Sequence, residues 1–151
     1  MDTDDAAPSI GKLFSILHWQ TRIYVEHQLS SVNLTWGEFH ILMRLCHTRQ
    51  MSQRDVTEQL HVSKATTSKM MQKLEMDGYI NREPDENDRR TYSIHITDKA
   101  RRLNATLKAI SNTWNDILLD QLTRQEQDIV IDGLNTMIQQ ALQANEENHH
   151  A

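Results

Sequence analysis

The segment from Ser52 to Ile96 constrains this chain most, because its hydrophobic pattern is helical up to one glycine and alternating beyond it. Ser52-Gln53-Arg54-Asp55 sets a serine at a helix start with an acid three residues on, a variant of the capping box. It opens a short helix carrying Val56 and Leu60, which breaks at Val62-Ser63. Ser63 caps a second helix whose inner stripe, Thr67, Met70, Met71 and Leu74, steps i, i+3, i+4, i+7. Gly78 ends it at C′, where a left-handed backbone costs least. Tyr79-Ile80-Asn81-Arg82 and Thr91-Tyr92-Ser93-Ile94-His95-Ile96 then read as strands, joined by the polar turn Pro84-Asp85-Glu86-Asn87-Asp88-Arg89-Arg90. The order is short helix, turn, helix, hairpin.

Helical patterns flank this unit. After an expected disordered lead, residues 1–8, Ile10, Leu13, Phe14, Leu17, Tyr24 and Val25 mark a helix that fades near Ser30-Ser31. Thr35 caps the next, with Phe39, Leu42, Met43, Leu45 and Cys46 on or near its inner face. Thr97 caps a fifth helix through Leu103, Leu107, Ile110, Trp114, Ile117 and Leu118. Thr123-Arg124-Gln125-Glu126, a full capping box, opens a sixth through Ile129, Val130, Leu134, Met137, Ile138 and Leu142. The expected fold is mainly α with a small β-hairpin wing (α+β): six helices, with the hairpin between the fourth and fifth. Residues 35–96 form a winged helix-turn-helix. Residues 9–31 and 97–144 form a helical dimerisation region, since so few outer helices bury their stripes best against a second copy. Residues 145–151 form a polar, frayed tail.

The length of 151 residues suits one compact domain with a core, and few glycines (4) and prolines (2) favour long helices. No run approaches the ~18 apolar residues of a membrane span. The acidic start, Met1-Asp2-Thr3-Asp4-Asp5, is unlike the basic head of a signal peptide. With Cys46 as the single cysteine there is no internal disulfide, and the cytoplasm is the expected location. The formal charge of −5 argues against a nucleic-acid partner, but it is segregated. Residues 44–73 hold Arg44, Arg49, Arg54, Lys64, Lys69 and Lys73 against Asp55 and Glu58, while Asp2, Asp4, Asp5, Glu146 and Glu147 sit at the ends. That pattern fits a local anion-binding face. Phosphate-loop, zinc-protease and nucleophile-elbow motifs are missing, so no enzyme activity and no cofactor are expected.

With its stripe inward, the fourth helix turns Lys64, Ala65, Ser68, Lys69 and Gln72 outward, with Thr66 at the edge. Gln pairs with adenine, Lys with guanine or phosphate, and Ser or Thr with either. Ser63 and its neighbours leave backbone N–H groups for a phosphate. Arg89 and Arg90 lie at or just past the hairpin tip, within reach of a minor groove, and Asp88 can hold an arginine in place. The plain alternatives are a solvated amphipathic helix and a hairpin whose charges compensate one another.

Residues 78–103, GYINREPDENDRRTYSIHITDKARRL, resemble the wing signature of the MarR family of bacterial regulators. The segment from Met51-Ser52-Gln53-Arg54-Asp55-Val56 to Val62-Ser63-Lys64-Ala65-Thr66-Thr67 resembles its helix-turn-helix. The resemblance implies a homodimeric repressor on double-stranded DNA, bound to a pseudo-palindromic operator. The fourth helix would lie in the major groove and the wing in the minor groove, with Arg90 as the wing arginine and Asp88 as its acidic partner. It also implies release by a small aromatic or phenolic effector, or sensing of oxidants or zinc. Oxidant sensors place a cysteine near the start of the first helix, where this chain has Ile10-Gly11-Lys12-Leu13, and Cys46 reads as buried and inert. His40 falls where zinc-sensing relatives place a ligand, but residues 100–112 hold no histidine, and no metal is expected. Trp19, Arg22, Trp36 and His40 are the candidate effector residues, each with a bland alternative in packing or solvation. A winged-helix adaptor without DNA binding stands as the rival.

Overall fold

The structure, a computed structural model, describes residues 9–48, 50–60, 62–85, 90 and 92–149. The expected lead, residues 1–8, lies outside the described residues. The elements are α1 (Ile10–Gln28), a 3-10 turn (Ser30–Val32), α2 (Trp36–Thr48), β1 (Gln50–Ser52), α3 (Gln53–Leu60), α4 (Lys64–Met76), β2 (Ile80–Pro84), β3 (Tyr92–Ile96), α5 (Asp98–Leu119) and α6 (Arg124–His149). The six helices and the hairpin follow the expected order.

Local chemistry sets the boundaries. Ser52 Oγ accepts from Asp55 N while Asp55 Oδ2 accepts from Ser52 N, both at 3.0 Å, closing the box that starts α3. Ser63 Oγ accepts from Thr66 N at 3.1 Å and starts α4. Gly78, at φ 74°, ends it: its N–H donates to Glu75 O and that of Tyr79 to Leu74 O, the two bonds of a Schellman motif.

One strand escapes the sequence pattern. β1, with its alternation of one buried residue between two others, pairs antiparallel with β3 (Met51 opposite Ile94). β2 pairs with the other edge of β3 (Ile80 opposite Ile96), giving the order β1-β3-β2. Three residues are too few for periodicity to mark, so this strand exists through its tertiary pairing.

Two compact units, 1–114 and 115–151, make up the chain. In the first, Leu29 from the end of α1, Leu42 and Leu45 from α2, Met71 and Leu74 from α4, Ile94 from β3 and Leu107 from α5 are fully buried in one core. Trp114 stacks on Tyr24 with ring centroids 4.6 Å apart and donates to Thr21 Oγ1 at 3.0 Å. In the second unit the Thr123–Glu126 box opens α6, and Gln127 Nε2 donates to Leu119 O and Leu122 O to close the preceding turn. α6 continues to His149, past Ala144 where a frayed tail was expected. Neither glycine nor proline interrupts it there, and Gln143 bonds to Glu147 one turn on.

Gly78→Ala forces an L side chain into the left-handed region. The expected loss is about 1–2 kcal/mol in a urea titration, with an unchanged slope; no loss would mean the α4–β2 junction has another route.

Candidate nucleic-acid interface

Thr67, Met71 and Leu74 are buried, which leaves Ser63, Lys64, Ala65, Thr66, Lys69 and Gln72 exposed on the opposite side of α4, with Ser68 half-buried. The sequence-derived face is therefore assembled on one helix. The Ser63 hydroxyl is engaged by the cap and by Thr66 Oγ1 at 2.9 Å. The N–H groups of Lys64 and Ala65 have no acceptor among the described residues. They are the pair a phosphate oxygen would meet at this helix start.

A cavity of about 420 Å³ joins this helix to its neighbours, lined by Gln53, Arg54, Thr57 and Glu58 of α3, Lys64 and Ser68 of α4, and Arg82, Arg90 and Tyr92 of the hairpin. Five contacts hold the elements around it. Thr57 Oγ1 donates to Thr67 Oγ1 at 3.1 Å, tying α3 to α4. Arg82 pairs with Glu75 (Nε–Oε2 2.8 Å) and lies 5.6 Å from the centre of the Tyr92 ring, tying α4 to both hairpin strands. Ser93 Oγ donates to Asp85 Oδ2 at 3.0 Å and Gln50 Nε2 to Ser93 Oγ at 3.3 Å, fixing β1 and the start of the hairpin turn to β3. Arg90 is exposed and faces this cavity. Asp88 and Arg89 lie outside the described residues.

Arg49 lies outside the described residues, and four of the described cations of the basic segment fall into two groups. Lys64 and Lys69 have no carboxylate partner among the described residues. Arg54 is paired with Glu58 at 2.7 Å. Lys73 is half-buried and engaged, with Asn33 O at 2.6 Å, Glu38 Oε2 at 2.9 Å and Asp77 Oδ2 at 3.3 Å from Nζ. Burial pulls its pKa down, but the bonds to Glu38 and Asp77 outweigh that and hold the ammonium above its ordinary value. The sequence tally counted Lys73 among the cations of residues 44–73 and did not foresee the pairings of Glu38, Glu75 and Arg82, whose partners are distant in the chain or lie across the hairpin junction.

The candidate effector residues separate into two pairs. Trp36 meets His40 edge-on at 4.1 Å and His18 at 5.9 Å. Arg22 lies 5.9 Å from the Trp19 ring centre and pairs with Glu26, and Trp19 is 58% exposed. No described ring or ion contact joins the two pairs. Burial first, and then His18, hold the His40 pKa below its ordinary value. His40 also lines a cavity of about 160 Å³ with Arg44, Met51 and Gln59, of which Arg44 and Gln59 were not foreseen as neighbours. Among the described residues no group of three or more His, Cys, Asp or Glu side chains is placed to hold a metal ion. Among the described residues no helix is long and apolar enough to cross a membrane.

A model of the MarR family matches residues 34–92. The chain is 26% identical to the HTH-type transcriptional regulator BilQ of Clostridioides difficile (strain CD3), over 85% of this chain and 87% of that protein. The solved structure of a MarR transcriptional regulator from Methanosarcina mazei Go1 is 32% identical, with a TM-score of 0.83 covering 89% of this chain and 97% of that one. A putative MarR family regulator from Listeria monocytogenes, complexed with 26mer DNA, is 19% identical and shares the fold, with a TM-score of 0.82 over 89% of each chain.

Cys46 is half-buried, and burial pushes its thiol up, outweighing the pull of Lys108 and Arg101. Near neutral pH it is expected to react with an aromatic disulfide more slowly than free cysteine, and faster as pH climbs through and beyond the ordinary thiol range. Reaction at the free-thiol rate at pH 7 would contradict that environment.

Proposed function

The chain belongs to the MarR family, and from that premise we propose that it is a sequence-selective DNA-binding regulator of transcription acting as a homodimer. One observation carries the reading: the exposed Lys64, Ala65, Lys69 and Gln72 face of α4 adjoins the cavity that Arg90 of the hairpin also lines. A major groove about 12 Å wide admits a helix. In it Gln72 would read an adenine edge, Ser68 and Thr66 would bond to bases or phosphates, and Lys64 and Lys69 would meet guanine or phosphate. The free N–H pair behind Ser63 would take a phosphate. Arg90, with Arg89, would reach the minor groove, and Asp88 would orient an arginine, as the family resemblance implies. The DNA-bound Listeria relative supports this by analogy.

Residues 35–96 are the proposed DNA-reading part, and residues 9–31 and 97–144 the dimerisation part. Exposed apolar side chains support the second assignment: Leu13 and Ile16 on α1 are 50% and 51% exposed, and Ile129 and Ile138 on α6 are 63% and 53%. Faces of this kind are usually covered by a partner. A dimer would set two α4 helices about 34 Å apart, one DNA turn, on a pseudo-palindrome.

Anisotropy with duplex from the upstream intergenic region tests this, alongside sedimentation. Expected are a two-chain species, sequence-selective binding, and a linear fall of log K with log salt. Arg90→Ala lowers affinity for all sequences alike. Gln72→Ala costs about 1–3 kcal/mol at a particular base pair. Indifference of duplex binding to both substitutions would rule out this contact face.

Repression, and release by a small aromatic or phenolic anion, complete the proposal, with Trp36 and His40 as the paired pocket residues and Trp19 and Arg22 near the same helices. Release would follow if the ligand favoured a spacing of the α4 helices that the operator cannot accept. Titration with salicylate is expected to change tryptophan fluorescence and weaken duplex binding together. A flat titration with unchanged affinity removes the effector part.

A further inference from the structure

We propose that Glu38 and Lys73 form a latch that fixes the rotation of α4 about its own axis, making them positioning residues for base recognition. The inference rests on the DNA-binding reading above. An ammonium has three N–H donors, and Lys73 Nζ has three acceptors at hand: Asn33 O, Glu38 Oε2 and Asp77 Oδ2 at 2.6, 2.9 and 3.3 Å. Its donors are spent inside the protein, so no proton remains for a phosphate.

Glu38, 2% exposed, cannot follow a turning α4, because the same carboxylate oxygen accepts from Thr35 N at 2.8 Å in the cap of α2. Its neighbour Gly37 adds a steric stop. A Cβ there would fall 2.5 Å from Met70 Sδ, so the first turn of α2 lies directly against α4. Two consecutive residues of α2 therefore hold Met70 and Lys73, which are one turn apart on α4.

Only the Glu38 end of this pair is buried, the Lys73 side chain being 34% exposed, and such a pair is a weak source of stability compared with apolar packing. What it adds is direction. Apolar contacts with Met71 and Leu74 are not directional, whereas three acceptors converging on one ammonium narrow the positions it can take. At a radius of about 6 Å a turn of about 20° moves a side chain by ~2 Å, enough to lose a base contact. Gln72 adjoins Lys73 in the chain and would swing with it.

The probe is a duplex enriched by the wild-type protein from a random-sequence library, compared with a random duplex of equal length across a salt series. Glu38→Gln with Lys73→Met strands no buried charge, whereas Lys73→Met alone would leave the buried Glu38 carboxylate without its cation, so the double variant is the one expected to keep the fold. Expected are at least a tenfold loss on the enriched duplex, affinity for random duplex within about twofold of wild type, and an unchanged salt slope. Lys73→Arg, which retains charge but misfits the three acceptors, is expected to lose selectivity too. A salt slope smaller by about one in the double variant, or full affinity in Lys73→Arg, would make Lys73 a phosphate contact and overturn the latch. Wild-type selectivity in the double variant would overturn it as well. Hydrogen exchange on the free protein reads the latch without DNA: α4 amides are expected to exchange faster in the double variant, and unchanged protection overturns the proposal. Failure of the wild-type protein to enrich any duplex instead overturns the DNA-binding reading.

Discussion

Burial of Thr67, Met71 and Leu74, each at 0% exposure, is what the rest of the candidate interface depends on. A helix can offer a polar face to a partner only if its other face is held. These three residues hold α4 against a core shared with α1, α2, the sheet and α5. Beyond the cap that Ser63 makes with Thr66, the side facing away is then free of structural duty. Its residues, small hydroxyls, an amide and lysines, need satisfy nothing in the interior, and so are available to a ligand.

Hydrophobic burial fixes where α4 lies but is not directional. The orientation comes from a small set of polar ties placed along its length. Thr67 Oγ1 is held by Thr57 near the start, Lys73 by Glu38 toward the end, and Glu75 by Arg82 at the last turn. The third of these reaches the hairpin, so α4 and the proposed wing share a fixed geometry. The Schellman motif at Gly78 makes the same connection through the backbone. A pair of probes meant for two adjacent grooves needs both ties, because an error at the junction would be magnified at the hairpin tip.

What the sequence disclosed and what it hid divide along chain separation. Caps are local: Ser52 with Asp55, Ser63 with Thr66, and Thr123 with Glu126 lie three residues apart and could be read directly. The outward face of α4 was equally legible, because a stripe at i, i+3, i+4, i+7 leaves only one other side. Glu38 and Lys73 are 35 residues apart, and nothing in either helix marks them as partners. β1 was hidden for the same reason, being defined by β3 more than forty residues on. The effector set shows a different limit. Trp19 lies about 180° around α1 from Ile10, on the far side from the Phe14 and Leu17 stripe. Helical spacing alone could have set it apart from the inner face of α1.

Charge shows why a chain of net −5 can offer an anion-binding face. Many acids of the first unit are already spent. Glu38 and Asp77 answer Lys73, Glu58 answers Arg54, Glu75 answers Arg82, Asp98 answers Arg101, and Asp55 answers the backbone N–H of Ser52. A paired carboxylate projects little field beyond its partner, and at physiological salt an exposed charge is screened over about 8 Å. Lys64 and Lys69 have no such partner among the described residues, so the field at the face of α4 is set by them rather than by the total. The pairing of acids inside the lobe, including the latch that withdraws Lys73, thus leaves a few positive charges concentrated where Gln72 and Ser68 face outward. Attraction to phosphate would then come from the same helix face that discriminates between bases.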